Sequence, residues 1–283
     1  MESFGIALGA GGPVGVAWEV GVLGGLAESV GFDANQAAVI VGTSAGSIVG
    51  ALIRRGLTAA DMVAQQRDTT PRQREVLDPD AFAQVLPLFA GSDLSREEAV
   101  RKIVEVGLAA KTPPVQPVID QIGAVVRGSE WPRADLRITA VDCETCELKV
   151  WTAADGVGLD QAVTSSIAVP AIIGPVVIDG RRYLDGGVDS PSHADLLLGT
   201  GVRRGIFIGP LGGELMPGPA AMLDHERQRL VDGGVPMFMI VPGERYGEVA
   251  LDPMNAANGP IALEIGQADG RAVGAALQNF LAG

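Results

Sequence analysis

The stretch "VIVGTSAGSIVGAL", residues 39–52, sets a serine between two apolar runs. Around it the chain reads Gly42-Thr43-Ser44-Ala45-Gly46, a G-x-S-x-G spacing. That spacing suits a nucleophilic serine on a sharp strand-to-helix turn, where only small neighbours fit. The context agrees: "AAVIVG" (37–42) reads as a buried strand and "SIVGALIRRG" as the helix that follows. Ser44 would then sit at a helix N-terminus, where the helix dipole favours developing negative charge. The competing reading of Gly42–Gly46 is an anion-binding or purely structural turn. A serine hydroxyl is a poor nucleophile without a base, so the remainder of the chain has to supply one.

Upstream, "SFGIALG" (3–9) reads as a short buried strand, "GAGGPVG" (9–15) as a glycine loop and "VAWEVGVLGGLAESVG" (16–31) as an apolar helix ending near Gly31. Strand, helix, strand and helix with unbroken apolar strands predict a mainly parallel sheet covered on both faces. Residues 34–53 are free of charge and long enough to suggest a spanning helix. Asn35, Gln36 and the Gly-Thr-Ser-Ala-Gly-Ser break divide them instead into strand, turn and helix.

Residues 57–133 differ in character. Thr69-Thr70-Pro71, Asp78-Pro79 and Pro113-Pro114 interrupt amphipathic stretches such as "SREEAVRKIVEVGLAA" (95–110), where Ser95 and Glu98 form a capping-box pattern. This section reads as a helical insertion over the sheet within a single domain, 1–283, serving either as a lid or as packed scaffold. The sheet resumes at "LRITAVD" and "LKVWTA". Asp179-Gly180 between apolar-rich runs signals a two-residue hairpin. "RGIFIGPL" and "VPMFMIVP" read as further buried strands, and "IALEIGQADGRAVGAALQNFLAG" as a terminal helix.

Composition narrows the function classes. Of 283 residues 47% are hydrophobic and the formal net charge is -13, with no basic cluster longer than two residues. Nucleic acid is thereby an unfavourable partner, and anionic lipid surfaces would not attract the chain by charge. Any membrane contact has to be apolar and local. No signal peptide is evident, and the expected location is the cytoplasm, with peripheral contact at a membrane surface left open. Cys143 and Cys146 form a lone C-x-x-C off any redox or zinc pattern, so their expected role is structural. Oligomeric state is open.

Two histidines compete for the role of base. His193 lies at a loop-to-helix junction and His225 in a charged helix, and neither sits in a local triad pattern. A carboxylate is the stronger candidate. Asp-Gly-Gly occurs twice; Asp232-Gly233-Gly234 reads as a helix end entering a strand. Asp185-Gly186-Gly187 follows a strand leaving the hairpin, and strand ends are where an α/β sheet places reacting groups. Gly186 and Gly187 would allow close approach of a second side chain, so Asp185 is the predicted base, with an ordinary loop aspartate as the alternative. In "GAGGPVG" the amides of Gly11 and Gly12 can bind an oxyanion, and Val14 can add another; Pro13 has no N–H. The rival, a dinucleotide loop, would need glycine where Val14 stands; Gly15 comes one position late.

With these parts in order, the chain resembles the patatin-like phospholipase family, in particular its bacterial members. The likeness runs over essentially the whole chain, in "GAGGPVGVAWEVGVL", in "VIVGTSAGSIVGAL" and in "AVTSSIAVPAIIGPVVIDGRRYLDGGVDSPSHADL". It implies a three-layer α/β/α sandwich and a Ser–Asp dyad without histidine, acting on lipid or other acyl-ester substrates with no metal or cofactor. Ser44 falls on the nucleophile, Asp185 on the base, and Gly11 and Gly12 on the oxyanion loop, closed by Gly15. The chain departs from the family at Ala10, where glycine is usual, and at Val14, where arginine or lysine is usual; this moves the expectation from phospholipids toward neutral esters or lysolipids. A non-catalytic lipid-binding or regulatory protein on the same fold is the alternative class, and acyl transfer by the same dyad a variant of the main one.

Overall fold

Strand Phe4–Leu8 (β1) is buried at every position, because alternate side chains face two different cores. Phe4, Ile6 and Leu8 point into the larger one; Ala7 points into the smaller. The same alternation holds in Val39–Gly42 (β2), with Ile40 on one side and Val39 and Val41 on the other. This is the pattern of a sheet covered on both faces, and the molecule is a three-layer α/β/α sandwich. The structure, a computed structural model, describes residues 3–68, 76–91, 94–213 and 216–283. Met1, Glu2 and the Thr69-Thr70-Pro71 break lie outside the described residues.

In chain order, β1 leads to helix Gly12–Val30 (α1), and β2 to helix Ala45–Arg54 (α2). Helices Ala59–Asp68 (α3), Pro79–Ala90 (α4), Arg96–Ala109 (α5) and Gln116–Val125 (α6) follow. Next come strands Asp135–Asp142 (β3) and Glu147–Trp151 (β4), helix Leu159–Ser166 (α7), and strands Val176–Ile178 (β5) and Arg181–Asp185 (β6). Strand Arg204–Ile208 (β7), helix Pro217–Asp232 (α8), strand Met237–Ile240 (β8), the short helix Gly247–Ala250 (α9) and helix Gly259–Ala282 (α10) complete the fold. The described residues of 57–133 include the four helices α3 to α6, and the capping box of Ser95 and Glu98 opens α5.

β8, β7, β1, β2 and β3 pair in parallel, and β3, β4, β5 and β6 add antiparallel pairs. The hairpin turn sits at Asp179 (φ 51°) and Gly180 (φ 77°), both left-handed as a tight two-residue turn requires. β4 occupies one edge of β3 from Ile138 to Asp142. β2 and β6 therefore share the other edge, running toward each other, with Gly42 opposite Ile138 and Asp185 opposite Ala140. The two strand ends thus meet nose to nose, bringing together Ser44 and Asp185, 141 residues apart in the chain.

The larger core is sealed by α1 against α10. Cβ atoms added at Gly21 and Gly25 would run into backbone atoms of Leu263 and Gln267, and at Gly266 and Gly270 into the carbonyls of Trp18 and Val22. Glycines four apart on both helices let the two backbones touch. Cys143 and Cys146 are free thiols in the β3–β4 turn, and burial pushes the Cys143 thiol up to about 12.

Candidate active site

Gly42 ends β2 and Ser44 caps α2, so the chain must reverse within two residues. Ser44 takes up the turn at φ 52° and ψ −115°, a conformation that an L-residue holds only when its surroundings impose it. Gly46 lies against the backbone of Leu8, and a Cβ at Gly42 would stand 2.6 Å from the carbonyl oxygen of Gly46. The small residues of the G-x-S-x-G stretch are thus dictated by close approach. Three hydrogen bonds fix the elbow. The Ser44 amide donates to Ser166 Oγ (2.9 Å), Ser47 Oγ donates to the Ser44 carbonyl (2.6 Å), and the Thr43 amide donates to the Leu8 carbonyl (3.0 Å).

Ser44 Oγ donates to Asp185 Oδ2 at 2.8 Å. Asp185 Oδ1 accepts the Gly187 amide at 2.7 Å, which fixes the carboxyl plane. Gly186 lies against Thr139, leaving no room for a side chain there. Burial pushes the Asp185 carboxyl up to about 7, against the opposing pull of the Gly187 amide, the Ser44 hydroxyl and the nearby His193. A carboxylate desolvated to that degree is a far better proton acceptor near neutrality than an exposed aspartate.

His193 is buried close by but does not meet the serine. Its Nε2 lies 3.1 Å from Asp189 Oδ2 and its Nδ1 3.1 Å from Thr43 Oγ1. Asp189 can only accept, so Nε2 donates to it, and His193 bridges Asp189 and the Thr43 hydroxyl. Thr43 in turn accepts from Thr139 Oγ1 at 2.8 Å. His193 thus ties the Ser44 turn to the loop after Asp185. His225 lies on the exposed side of α8 at the cavity wall.

The glycine loop stands at the head of α1. Its amides at Ala10, Val14 and Gly15 donate to the carbonyls of Pro191 (2.8 Å), Pro253 (3.3 Å) and Gly11 (2.8 Å). The expectation for Val14 is thereby corrected: its amide is engaged and its side chain fully buried. Gly11 and Gly12 both line the cavity that Ser44 and Asp185 face. Gly12 has φ 61°, and a Cβ there would sit 2.6 Å from the Pro253 carbonyl. Gly15 and Ala45 pack face to face, joining the loop to the elbow.

The cavity holds about 630 Å³, the scale of a single bound ligand. Its apolar walls come from α4 and α5 (Phe82, Leu86, Phe89, Ile103), from Met216 at the start of α8 and from Met222 within it. Sequence reasoning missed the contribution of α8, as well as Ser166 and Asp189. The polar run "TSS" at 164–166 inside an apolar stretch was the one local signal for Ser166.

A family model described as "Patatin-like phospholipase" matches residues 6–198. No curated protein matches the chain. Among solved structures, VipD from Legionella pneumophila is similar at 12% identity and TM-score 0.47, over 97% of this chain and 67% of that one. The type III effector protein ExoU is similar at 15% identity and TM-score 0.40, over 96% of this chain and 52% of that one.

Proposed function

Because the chain belongs to the patatin-like phospholipase family, we propose that it is a serine lipid acyl hydrolase working through Ser44 and Asp185. The observation that carries this reading is the 2.8 Å hydrogen bond from Ser44 Oγ to a buried carboxyl whose pKa is raised to about 7. Asp185 accepts the serine proton as Oγ attacks the acyl carbonyl. The Gly11 and Gly12 amides take the developing oxyanion, aided by the N-terminus of α2. Asp185 then gives its proton to the departing alcohol and leaves an acyl-enzyme. Water attacks that ester, Asp185 accepts a proton from it, and the proton returns to Ser44 as the fatty acid leaves. Phospholipid, lysolipid and neutral-lipid esters all share the group on which this chemistry acts. Within the single domain, α4 and α5 of the inserted section supply much of the acyl-chain wall.

The test is fluorophosphonate labelling with peptide mapping, on wild type and Asp185→Asn. A single adduct on Ser44, slowed by about 10³-fold or more in the variant, is expected for a base acting on the nucleophile. Labelling should rise with pH through about 7, since only ionised Asp185 can accept the proton. A folded wild type that takes no label on Ser44, with or without neutral detergent micelles, would favour a lipid-binding protein on this fold instead.

A further inference from the structure

The charged groups at the cavity wall are unequal in number and in state. Four acidic residues line it, Asp185, Asp189, Asp195 and Glu226, together with two arginines, Arg96 and Arg229, and the exposed His225. Both guanidiniums are already held. Arg96 Nε donates to Asp189 Oδ1 (3.0 Å) and to its backbone oxygen (3.1 Å), and Nη2 forms an ion pair with Oδ2. The edge that would grip a phosphate in bidentate fashion is therefore filled by a carboxylate. Arg229 is paired with Asp195 through Nη1. Glu226 has no cation; it is buried and accepts from Ser190 Oγ (2.6 Å), Ser192 Oγ (2.7 Å) and the Ala194 amide (2.7 Å). Asp189 is kept ionised: burial pushes it up, but His193 and Arg96 together hold it below the usual carboxylate range.

An acyl ester placed for attack by Ser44 brings its alcohol part to this polar wall. In a glycerophospholipid the phosphate is separated from the ester only by the glycerol unit. It would meet a surplus of carboxylates in a partly desolvated cleft, where like charges repel strongly. An uncharged glycerol would meet hydrogen-bonding groups and no opposing charge. We propose that the cavity selects fatty-acyl esters whose alcohol part carries no phosphate, so that uncharged glycerides are the substrates of Ser44. This rests on the hydrolase reading above and narrows it.

The experiment compares 1-monooleoylglycerol with oleoyl lysophosphatidylglycerol and oleoyl lysophosphatidylcholine, each in the same neutral detergent micelles. The acyl chain is constant and only the alcohol part varies. Wild type should favour the glyceride in kcat/KM by about tenfold or more over both phosphate-bearing esters. Asp195→Asn releases Arg229 and should narrow that ratio several-fold; Arg229→Gln removes the cation and should widen it. Asp224→Asn removes the same charge at an exposed pair that does not line the cavity, and should leave the ratio unchanged. Equal or better turnover of either lysophospholipid by wild type overturns the inference while leaving the hydrolase reading intact. A ratio that moves equally in Asp195→Asn and Asp224→Asn also overturns it, because the selectivity would then follow overall charge. No turnover of any ester, together with no fluorophosphonate adduct on Ser44, overturns the hydrolase reading itself.

Discussion

Two helical contacts in the molecule are built on opposite principles. α1 meets α10 through glycines, backbone against backbone, and α1 is buried from Val14 to Leu26 apart from Val16. α4 and α5 line the cavity with large side chains, and α4 buries only Ala81 and Val85 while Leu86 stays half exposed. The difference follows from what each contact holds. α1 carries the Gly11–Gly12 loop at its N-terminus, and the oxyanion site proposed there would work only if its donors are fixed before the reaction. α4 and α5 border the space an acyl chain would fill, so their apolar side chains keep surface free for a ligand.

The comparison breaks most sharply at Gly266. A valine there would drive its Cβ into the Trp18 carbonyl, and backbone atoms cannot rotate aside. Gly266→Val should lower stability by about 4 kcal/mol or more, the overpacking extreme for a single substitution. Urea unfolding measures it, and an unchanged midpoint would show that the seam is looser than its geometry requires. Any folded fraction should also label Ser44 slowly, because α1 positions the loop.

The next effect in size arises at the dyad. The folded-state pKa of Asp185 is raised from 3.8 to about 7 by burial. The folded protein therefore binds the proton more tightly than the unfolded chain, and its stability falls as pH rises from about 4 to about 7. Above that window the full penalty is present; below it there is none. Asp185→Asn removes the ionisation and should raise stability at pH 8 by on the order of 4 kcal/mol relative to wild type, with little change at pH 4. A denaturation series over that range checks it. A destabilised variant at pH 8 would mean that the Ser44 and Gly187 hydrogen bonds to Asp185 outweigh its desolvation. The expected outcome is a protein more stable without its proton acceptor and much less reactive, the familiar opposition of stability and activity.

Most of this arrangement was legible in the sequence where it depends on local rules. Unbroken apolar runs marked the strands, and small residues around Ser44 marked the elbow. Asp179-Gly180 marked the hairpin whose second strand delivers Asp185. The meeting of β2 and β6 on one edge of β3 was not legible, because register over such separations is set by tertiary packing. Val14 shows the same limit. As a residue with an N–H in a glycine loop it qualified as a donor, and only the approach of Pro253, from the far end of the chain, decides otherwise. Glu19 was invisible for a similar reason. It stands in a helix read only as apolar, and it lies fully buried, with burial raising its carboxyl well above the ordinary range. The bond from His193 to Thr43 likewise joins residues 150 apart.

The smallest expected effect lies in the helical section, at Gly123 in α6. A Cβ there would meet only Asp160, at 3.6 Å, an ordinary van der Waals contact. The position is helical with an ordinary φ, so nothing in its backbone requires glycine. Alanine should stabilise the helix by about 0.5–1 kcal/mol, chiefly by reducing the freedom of the unfolded chain. Gly266 is also a helical glycine with an ordinary φ, so intrinsic propensity alone would predict the same small gain from alanine there. Opposite signs for Gly123→Ala and Gly266→Ala in parallel urea titrations would show that the seam uses glycine for closeness and not for flexibility. Equal signs would mean that α1 and α10 can move apart by the radius of a methyl group, and the oxyanion loop would then move with them.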